Sequence, residues 1–183
     1  MNPMMLKGYV IRKATNDDIP AIAALLRQEK NGAVLPVSKE TLAQWTANGH
    51  SFIAEFEGQI IGYQGASVWQ PGLIEGRSHY VTPEHRKNNL GYYLKGALFE
   101  ELTSNTDHWD GEALTFIAVK NANSNGTSIL LSLGLRELTK EEVGKLPPAV
   151  MELDPTTEYK VYAINLKPSV RKCVGVTIEQ QHC

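Results

Sequence analysis

No stretch of this sequence approaches the run of about 20 apolar residues that a bilayer-spanning helix needs. Its first residues, MNPMMLKGYVIRK, lack the apolar core of a secretory leader, and Lys7 breaks what little there is. Only two cysteines occur, Cys173 and Cys183, both late in the chain. They make neither a disulfide framework nor a metal site, and free thiols in a reducing cytoplasm are the expectation. Charge of one sign is scarce too, the formal net charge being −2. The broad positive field that holds nucleic acid is therefore absent, and the basic pair Arg86-Lys87 needs a local explanation. There is no internal repeat, low-complexity tract or domain linker. These absences leave a cytoplasmic protein with neither a membrane nor a nucleic acid as partner. At 183 residues it fits one domain with a sizeable core.

What is present alternates between the two hydrophobic periods. Residues 8–13 read as a short first strand. Thr15-Asn16-Asp17-Asp18 offers caps for a helix whose inward face is Ile19, Ile22, Leu25 and Leu26, with Pro20 in its first turn. A second helix is predicted from Ser38 to about Asn48, with Leu42 and Trp45 inward. Strands follow over 51–57 and 59–68, joined at Glu57-Gly58, a tight hairpin signal. Gln70-Pro71-Gly72 turns the chain into a fourth strand from about Leu73 to Val81. A long helix is predicted from about Asn89 to Leu102, on the stripe Leu90, Tyr93, Leu94, Ala97, Leu98 and Leu102. Residues 113–119 make a fifth, buried strand, and 124–133 a short helix stopped by Gly134. The stretch 139–157 is irregular, 158–166 is a last strand, and 167–183 a peripheral tail. This order predicts a mixed α/β (α+β) sheet with helices on both faces.

Chemistry concentrates in Val81–Leu94, VTPEHRKNNLGYYL. Pro83 has no N–H to donate and ends strand pairing. A polar loop then runs into an amphipathic helix, whose first turn presents unpaired N–H groups and a partial positive charge. Arg86 and Lys87 favour phosphate there, and Asn89 and Gly91 tolerate unusual backbone angles or close approach. A pyrophosphate cradle and a merely solvated basic loop both fit these residues. Neither the three glycines of GxGxxG nor the GKS/GKT of a P-loop is present.

The same segment resembles the acyl-CoA motif of the GNAT superfamily of N-acetyltransferases. Its V-x-P is Val81-Thr82-Pro83, and its Arg/Gln-x-x-Gly-x-Gly/Ala is Arg86-Lys87-Asn88-Asn89-Leu90-Gly91, with Asn89 in place of the first glycine. A second stretch is similar to the family pattern at Asn123, Gly126, Ile129-Leu130 and Leu133-Gly134-Leu135. With the order of elements, the two extend the resemblance over roughly residues 9–138. The resemblance implies a single GNAT domain over 1–183, core about 9–166, with a mostly antiparallel sheet whose fourth and fifth strands splay. It implies acetyl-CoA as co-substrate and no metal. Backbone N–H groups from Arg86, Lys87, Asn88, Asn89, Leu90, Gly91 and Tyr92 would hold the pyrophosphate, Tyr80 and Val81 would pair with the pantetheine arm, and Asn123 would join them. A homodimer through the last strands and 158–183 is a further implication that the sequence leaves open.

Amine acylation needs a neutral amine, a polarised thioester carbonyl and a proton for the leaving thiolate. Glu75 and His79 are the candidate bases on the fourth strand. Counting by twos puts Glu75, Arg77, His79 and Val81 on one face. Glu75 pairing with Arg77 or binding the amine, and His79 as a hydrogen-bonded sheet residue, are the alternatives. Leu130 stands where the family carries a tyrosine, so no acid is named. Trp45 and Trp69 fit either an acceptor pocket or the core and rim. Asp107, His108 and Asp110 make a short cluster whose metal reading is the weaker one. The expected acceptor is the primary amine of a small molecule or amino acid, bounded by the first two helices and the 139–157 stretch. A GNAT-like acyl-CoA sensor with little catalysis is the alternative.

Overall fold

The computed structural model describes residues 4–6, 8–29, 34, 37–104, 113–120, 124–146 and 159–166, excepting the side chains of 5, 6, 120, 124 and 125. The tail, both cysteines, Asn123, the Asp107–Asp110 cluster and residues 147–157 of the expected 139–157 cover lie outside them. Among the described residues no helix is long and apolar enough to cross a membrane.

Strands β1 (Met4–Leu6) and β2 (Tyr9–Lys13) lead through a 3-10 turn (Asn16–Asp18) into helices α1 (Ile19–Leu26) and α2 (Lys39–Ala47). Strands β3 (Ser51–Phe56), β4 (Gln59–Gln70) and β5 (Leu73–Val81) form a meander, followed by a 3-10 turn (Pro83–His85) and helix α3 (Leu90–Ser104). Then come β6 (Ala113–Lys120), α4 (Ser124–Ser132), β7 (Arg136–Glu137), the short α5 (Lys140–Val143) and β8 (Tyr159–Leu166). The eight strands form one sheet in the order β1-β2-β3-β4-β5-β6-β8-β7. Every neighbouring pair is antiparallel except β5 and β6. The predicted fourth and fifth strands are thus β5 and β6. Three short elements, β1, β7 and α5, escape the sequence patterns, because two to four residues are too few to show a period.

Local chemistry explains the turns. Glu57 and Gly58 both take positive φ, 49° and 77°, as a two-residue hairpin turn of the right twist requires. Gly72, at φ 78° after Pro71, closes the β4–β5 turn. The Ser38 hydroxyl accepts from Thr41 N at 3.1 Å and caps α2. Arg12 ties the first 3-10 turn to the sheet, donating to both oxygens of Asp18 and both of Glu55 at 2.7–3.0 Å. That pairing holds the Asp18 carboxyl down at about 2.

The sheet is covered on both faces. On one face α3 and Leu130 of α4 pack on Phe52, Ala54, Ala66, Ile74, Val81 and Ile117. On the other, α1 and α2 pack on Ile53, Tyr63 and Tyr80, and beside them Leu138 and Leu146 cover Leu73, Phe116, Val161 and Ala163.

Alternation breaks once where it matters. Tyr63 pairs with Tyr80 and Gly65 with Arg77, so Gln64 alone on β4 faces both Ser78 and His79 on β5. This is a β-bulge, and Ser78 carries it with φ 55°. Glu75 and Arg77 therefore lie on the α1/α2 face, whereas His79 and Val81 lie on the α3 face. The expectation of one shared face fails, because counting by twos assumes an unbroken pleat.

Candidate functional site

β5 and β6 pair only at Leu73–Leu114, Ile74–Thr115 and Glu75–Phe116. Beyond that point β5 stays with β4 as far as Val81 and β6 stays with β8 as far as Lys120, so the two diverge. Each then offers the other an unpaired backbone edge. An extended, amide-containing ligand can lie in such an opening as a strand would.

At the far end of the opening stands the predicted loop. Thr82 N donates to the Ile61 carbonyl at 2.9 Å, after which pairing stops at Pro83. His85 N and Arg86 N then bond back to Thr82 and Pro83. Lys87 and Asn89 adopt left-handed φ of 68° and 58°. Asn89, in place of a glycine, thus takes the conformation a glycine would supply. The Asn89 carbonyl receives the first bond of α3, from Tyr93 N at 3.1 Å, leaving the N–H groups of Leu90, Gly91 and Tyr92 without an intrahelical partner.

Other side chains hold this loop in place. Arg86 Nε donates to the Val81 carbonyl at 2.9 Å, and its guanidinium carbon lies 5.7 Å from the Tyr80 ring centre. Arg86 therefore braces the strand end. Asn88 Nδ2 donates to Tyr9 Oη at 3.1 Å and to the His85 carbonyl at 3.3 Å. Tyr9 Oη also meets His85 Nδ1 at 3.2 Å, and the Tyr9, Phe56 and His85 rings meet tilted or edge-on with centres 4.9–5.7 Å apart. Gly91 is needed for packing: a Cβ there would lie 2.9 Å from His79 Nε2 and 3.1 Å from Ile129 Cδ1.

The two candidate bases occupy opposite environments. Glu75 is buried, accepts from Trp69 Nε1 at 3.0 Å, and sits 3.6 Å from Arg77 Nε. Burial pushes its carboxyl up, against the opposing pull of Arg77 and the Trp69 hydrogen bond. His79 Nδ1 lies 3.0 Å from Gln64 Oε1 on the α3 face. Burial holds its imidazole well below the usual value, helped by the charges of Lys95 and Arg86. Trp69 is thus a partner of Glu75. Trp45 is core, its ring lying against Gly65, where a Cβ would come within 2.7 Å of it.

Gln64 and Lys95 were not among the expected residues. Lys95 is buried, falls one turn after Gly91, and donates to Gln64 Oε1 at 3.0 Å. A charged residue inside the apolar stripe of α3 was the available signal. Leu130 is wholly buried in the core. Of the nearby hydroxyls, Ser132 Oγ is spent on the Ile129 carbonyl at 2.8 Å, and Tyr162 Oη points to Glu137 at 3.5 Å.

The model of the acetyltransferase (GNAT) family matches residues 19–125, more than half of the chain. No curated protein matches the sequence. Solved structures share the fold. A GNAT superfamily phosphinothricin acetyltransferase from Sinorhizobium meliloti, in complex with acetyl-CoA, aligns at TM-score 0.66 and 20% identity, covering 87% of this chain and 89% of that one. Ribosomal-protein-alanine N-acetyltransferase from Brucella melitensis aligns at 0.62 and 21%, covering 86% and 98%. Rv2747 from Mycobacterium tuberculosis, in complex with CoA, aligns at 0.63 and 18%, covering 85% and 99%. At these identities the structures speak for the fold, and the family model for descent: the chain belongs to the GNAT family of acetyltransferases.

Proposed function

We propose that the protein is an acetyl-CoA-dependent N-acetyltransferase acting on a primary amine of a small molecule or amino acid. The observation that carries this is the parting of β5 from β6 beyond Glu75 and Phe116, with the free first turn of α3 at its end. The backbone from Arg86 to Tyr92, with Asn123, holds the pyrophosphate, and Tyr80 and Val81 pair with the pantetheine amides. The acetyl thioester then reaches the inner end of the opening, where Glu75 approaches from the α1/α2 face.

The amine attacks the thioester carbonyl directly. Its nitrogen forms the new C–N bond, its excess proton passes to Glu75 directly or through water, and the C–S bonding pair leaves with sulfur. A raised carboxyl suits this task, because it takes up a proton closer to neutral pH than an ordinary glutamate. Solvent protonates the thiolate, since Leu130 has no proton to give. The cytoplasm, with its acetyl-CoA supply, is the setting this reaction implies.

Leu130, buried at the family's tyrosine position, also favours a second reading, an acyl-CoA sensor that binds without turnover. One experiment separates the two. Thiol release from acetyl-CoA is followed against a panel of amino acids and small amines. Amine-dependent release supports the enzyme. Tight acetyl-CoA binding with no release on any amine supports the sensor, and absence of binding removes both.

A further inference from the structure

On the α3 face of the sheet, buried Gln64 and Lys95 and half-buried His79 form one hydrogen-bonded cluster. Gln64 is fully buried, and its amide nitrogen donates to the carbonyls of Gly65, at 2.6 Å, and Arg77, at 3.1 Å. Its oxygen therefore faces Lys95 Nζ and His79 Nδ1, each at 3.0 Å. An ammonium only donates and an amide oxygen only accepts. The proton between His79 and Gln64 thus belongs to Nδ1, which leaves a lone pair on Nε2. That Nε2 lies 2.9 Å from the point where a Cβ on Gly91 would stand, beside Ile129 of α4. His79 as a whole is half-buried, so its ring is open to solvent in part, next to the first turn of α3.

The charges facing this ring are of one sign. Lys95 comes from α3 and Arg86 from the loop after β5, while β4 offers the neutral Gln64 and α4 offers Ile129. Glu75 and Arg77 stand on the other face of the sheet, across the bulge. Among the described residues the cluster's hydrogen bonds include no carboxylate. Burial first, and then the two cations, oppose a third positive charge.

We infer that His79 is a cofactor-arm residue: Gln64 and Lys95 hold it neutral, with Nε2 presented as a hydrogen-bond acceptor to an amide N–H or hydroxyl of the pantetheine arm. This rests on the acyl-CoA function proposed above. It takes His79 out of competition for the role of amine base and leaves that role to Glu75. Lys95 and Gln64 are positioning residues, since they act through the imidazole. The bulge at Ser78 makes the arrangement available, because without it His79 would point at α1 and α2.

The test has three arms on the full chain. In the free protein, nitrogen NMR of the imidazole is expected to show the Nδ1–H tautomer, with no titration from about pH 5 to about pH 8. Lys95→Met, which keeps the buried stem, is expected to raise the pH at which His79 titrates, with burial still holding it below the ordinary value. In kinetics, His79→Gln places a carbonyl oxygen near the position of Nε2, whereas His79→Asn leaves that position empty. The asparagine variant is expected to raise the acetyl-CoA KM about tenfold. The glutamine variant should recover most of that loss, with kcat and the pH profile of both close to wild type.

A wild-type His79 that titrates near its ordinary value overturns the inference. So does a kcat loss in His79→Asn with unchanged KM and a displaced acid limb, because that is the signature of a base. If wild type binds acetyl-CoA and both His79 variants bind it equally well, the arm contact is wrong while the function stands. If wild type binds no acetyl-CoA, the function falls and takes the arm contact with it, and NMR still decides the tautomer.

Discussion

β5 serves two environments that differ in the sign of their charge and meet at one bulge. On the α1/α2 face, Glu75 is a buried acid beside one cation, and its proton affinity is raised. On the α3 face, His79 shares Gln64 with the buried Lys95, and burial, helped by the charges of Lys95 and Arg86, lowers its proton affinity. The acid is thus tuned to accept a proton and the imidazole to refuse one. Four positions separate them in sequence, yet the plane of the sheet lies between them. The single extra residue at Ser78 puts the two side chains on opposite faces of the sheet.

The most disruptive way to break this division is Ser78→Val, because a β-branched side chain resists the left-handed φ of 55°. With residue 78 back in extended backbone, strict alternation turns His79 toward α1 and α2 and moves the cradle out of register. Loss of acetyl-CoA binding, together with a lower thermal midpoint, is the expected outcome by calorimetry and thermal melting. Unchanged affinity would show that the bulge has no part in the site.

Glu75→Gln comes next. It keeps the Trp69 contact sterically and removes the charge, so kcat should fall about a hundredfold while the acetyl-CoA KM changes little. In wild type the rate should fall as pH drops through the raised value of Glu75, and the variant should lose that limb. The sign for stability is the opposite. A raised carboxyl binds its proton more tightly folded than unfolded, so its burial is harmless at low pH and costly above the raised value. Glu75→Gln is therefore expected to gain stability over wild type as pH rises, read from denaturant midpoints.

Lys95→Met tests the other side. Burial pulls the Lys95 ammonium down from 10.5 to about 7. Between those values the unfolded chain binds more protons than the folded one, so wild-type stability rises with pH across that window. The variant lacks this slope. It should be more stable than wild type below neutral pH, by about 2 kcal/mol or more, with the gap closing toward about pH 10. A constant gap would mean that Lys95 stays charged throughout.

Tyr9→Phe carries the smallest expected effect. It removes the hydroxyl that Asn88 and His85 share and should weaken acetyl-CoA binding about threefold, without altering kcat or its pH dependence.

How much of this was legible in the sequence depended on whether a residue type announced the geometry. Glu57-Gly58 and Pro71-Gly72 announce their turns, and both are where the spacing puts them. The shape of the loop after β5 was legible because Pro83 and Asn89 have a backbone reason to be there and Gly91 a packing one. The bulge was not, because Ser78 is neither glycine nor asparagine and nothing marks it as left-handed. Lys87 takes the same region equally unannounced. Gln64 hides inside the apolar run of β4, and Lys95 inside a helix whose other inward residues are apolar. Their pairing spans 31 residues and exists only in the folded chain. Glu75 was a candidate from its place on the strand, by a face count that the bulge overturns, whereas Trp69 as its partner follows from the β4–β5 hairpin, which brings the indole across to the carboxylate.

The central claim is that the opening between β5 and β6, closed at one end by the first turn of α3, holds acetyl-CoA. Calorimetric titration of the full chain tests it most directly, with Gly91→Val as the companion, because a side chain at 91 would collide with His79 and Ile129. The account predicts one acetyl-CoA site per chain with a Kd between about 1 μM and about 1 mM, and a marked loss of affinity in a folded Gly91→Val. No binding heat at millimolar acetyl-CoA, or equal affinity in the two proteins, would contradict it.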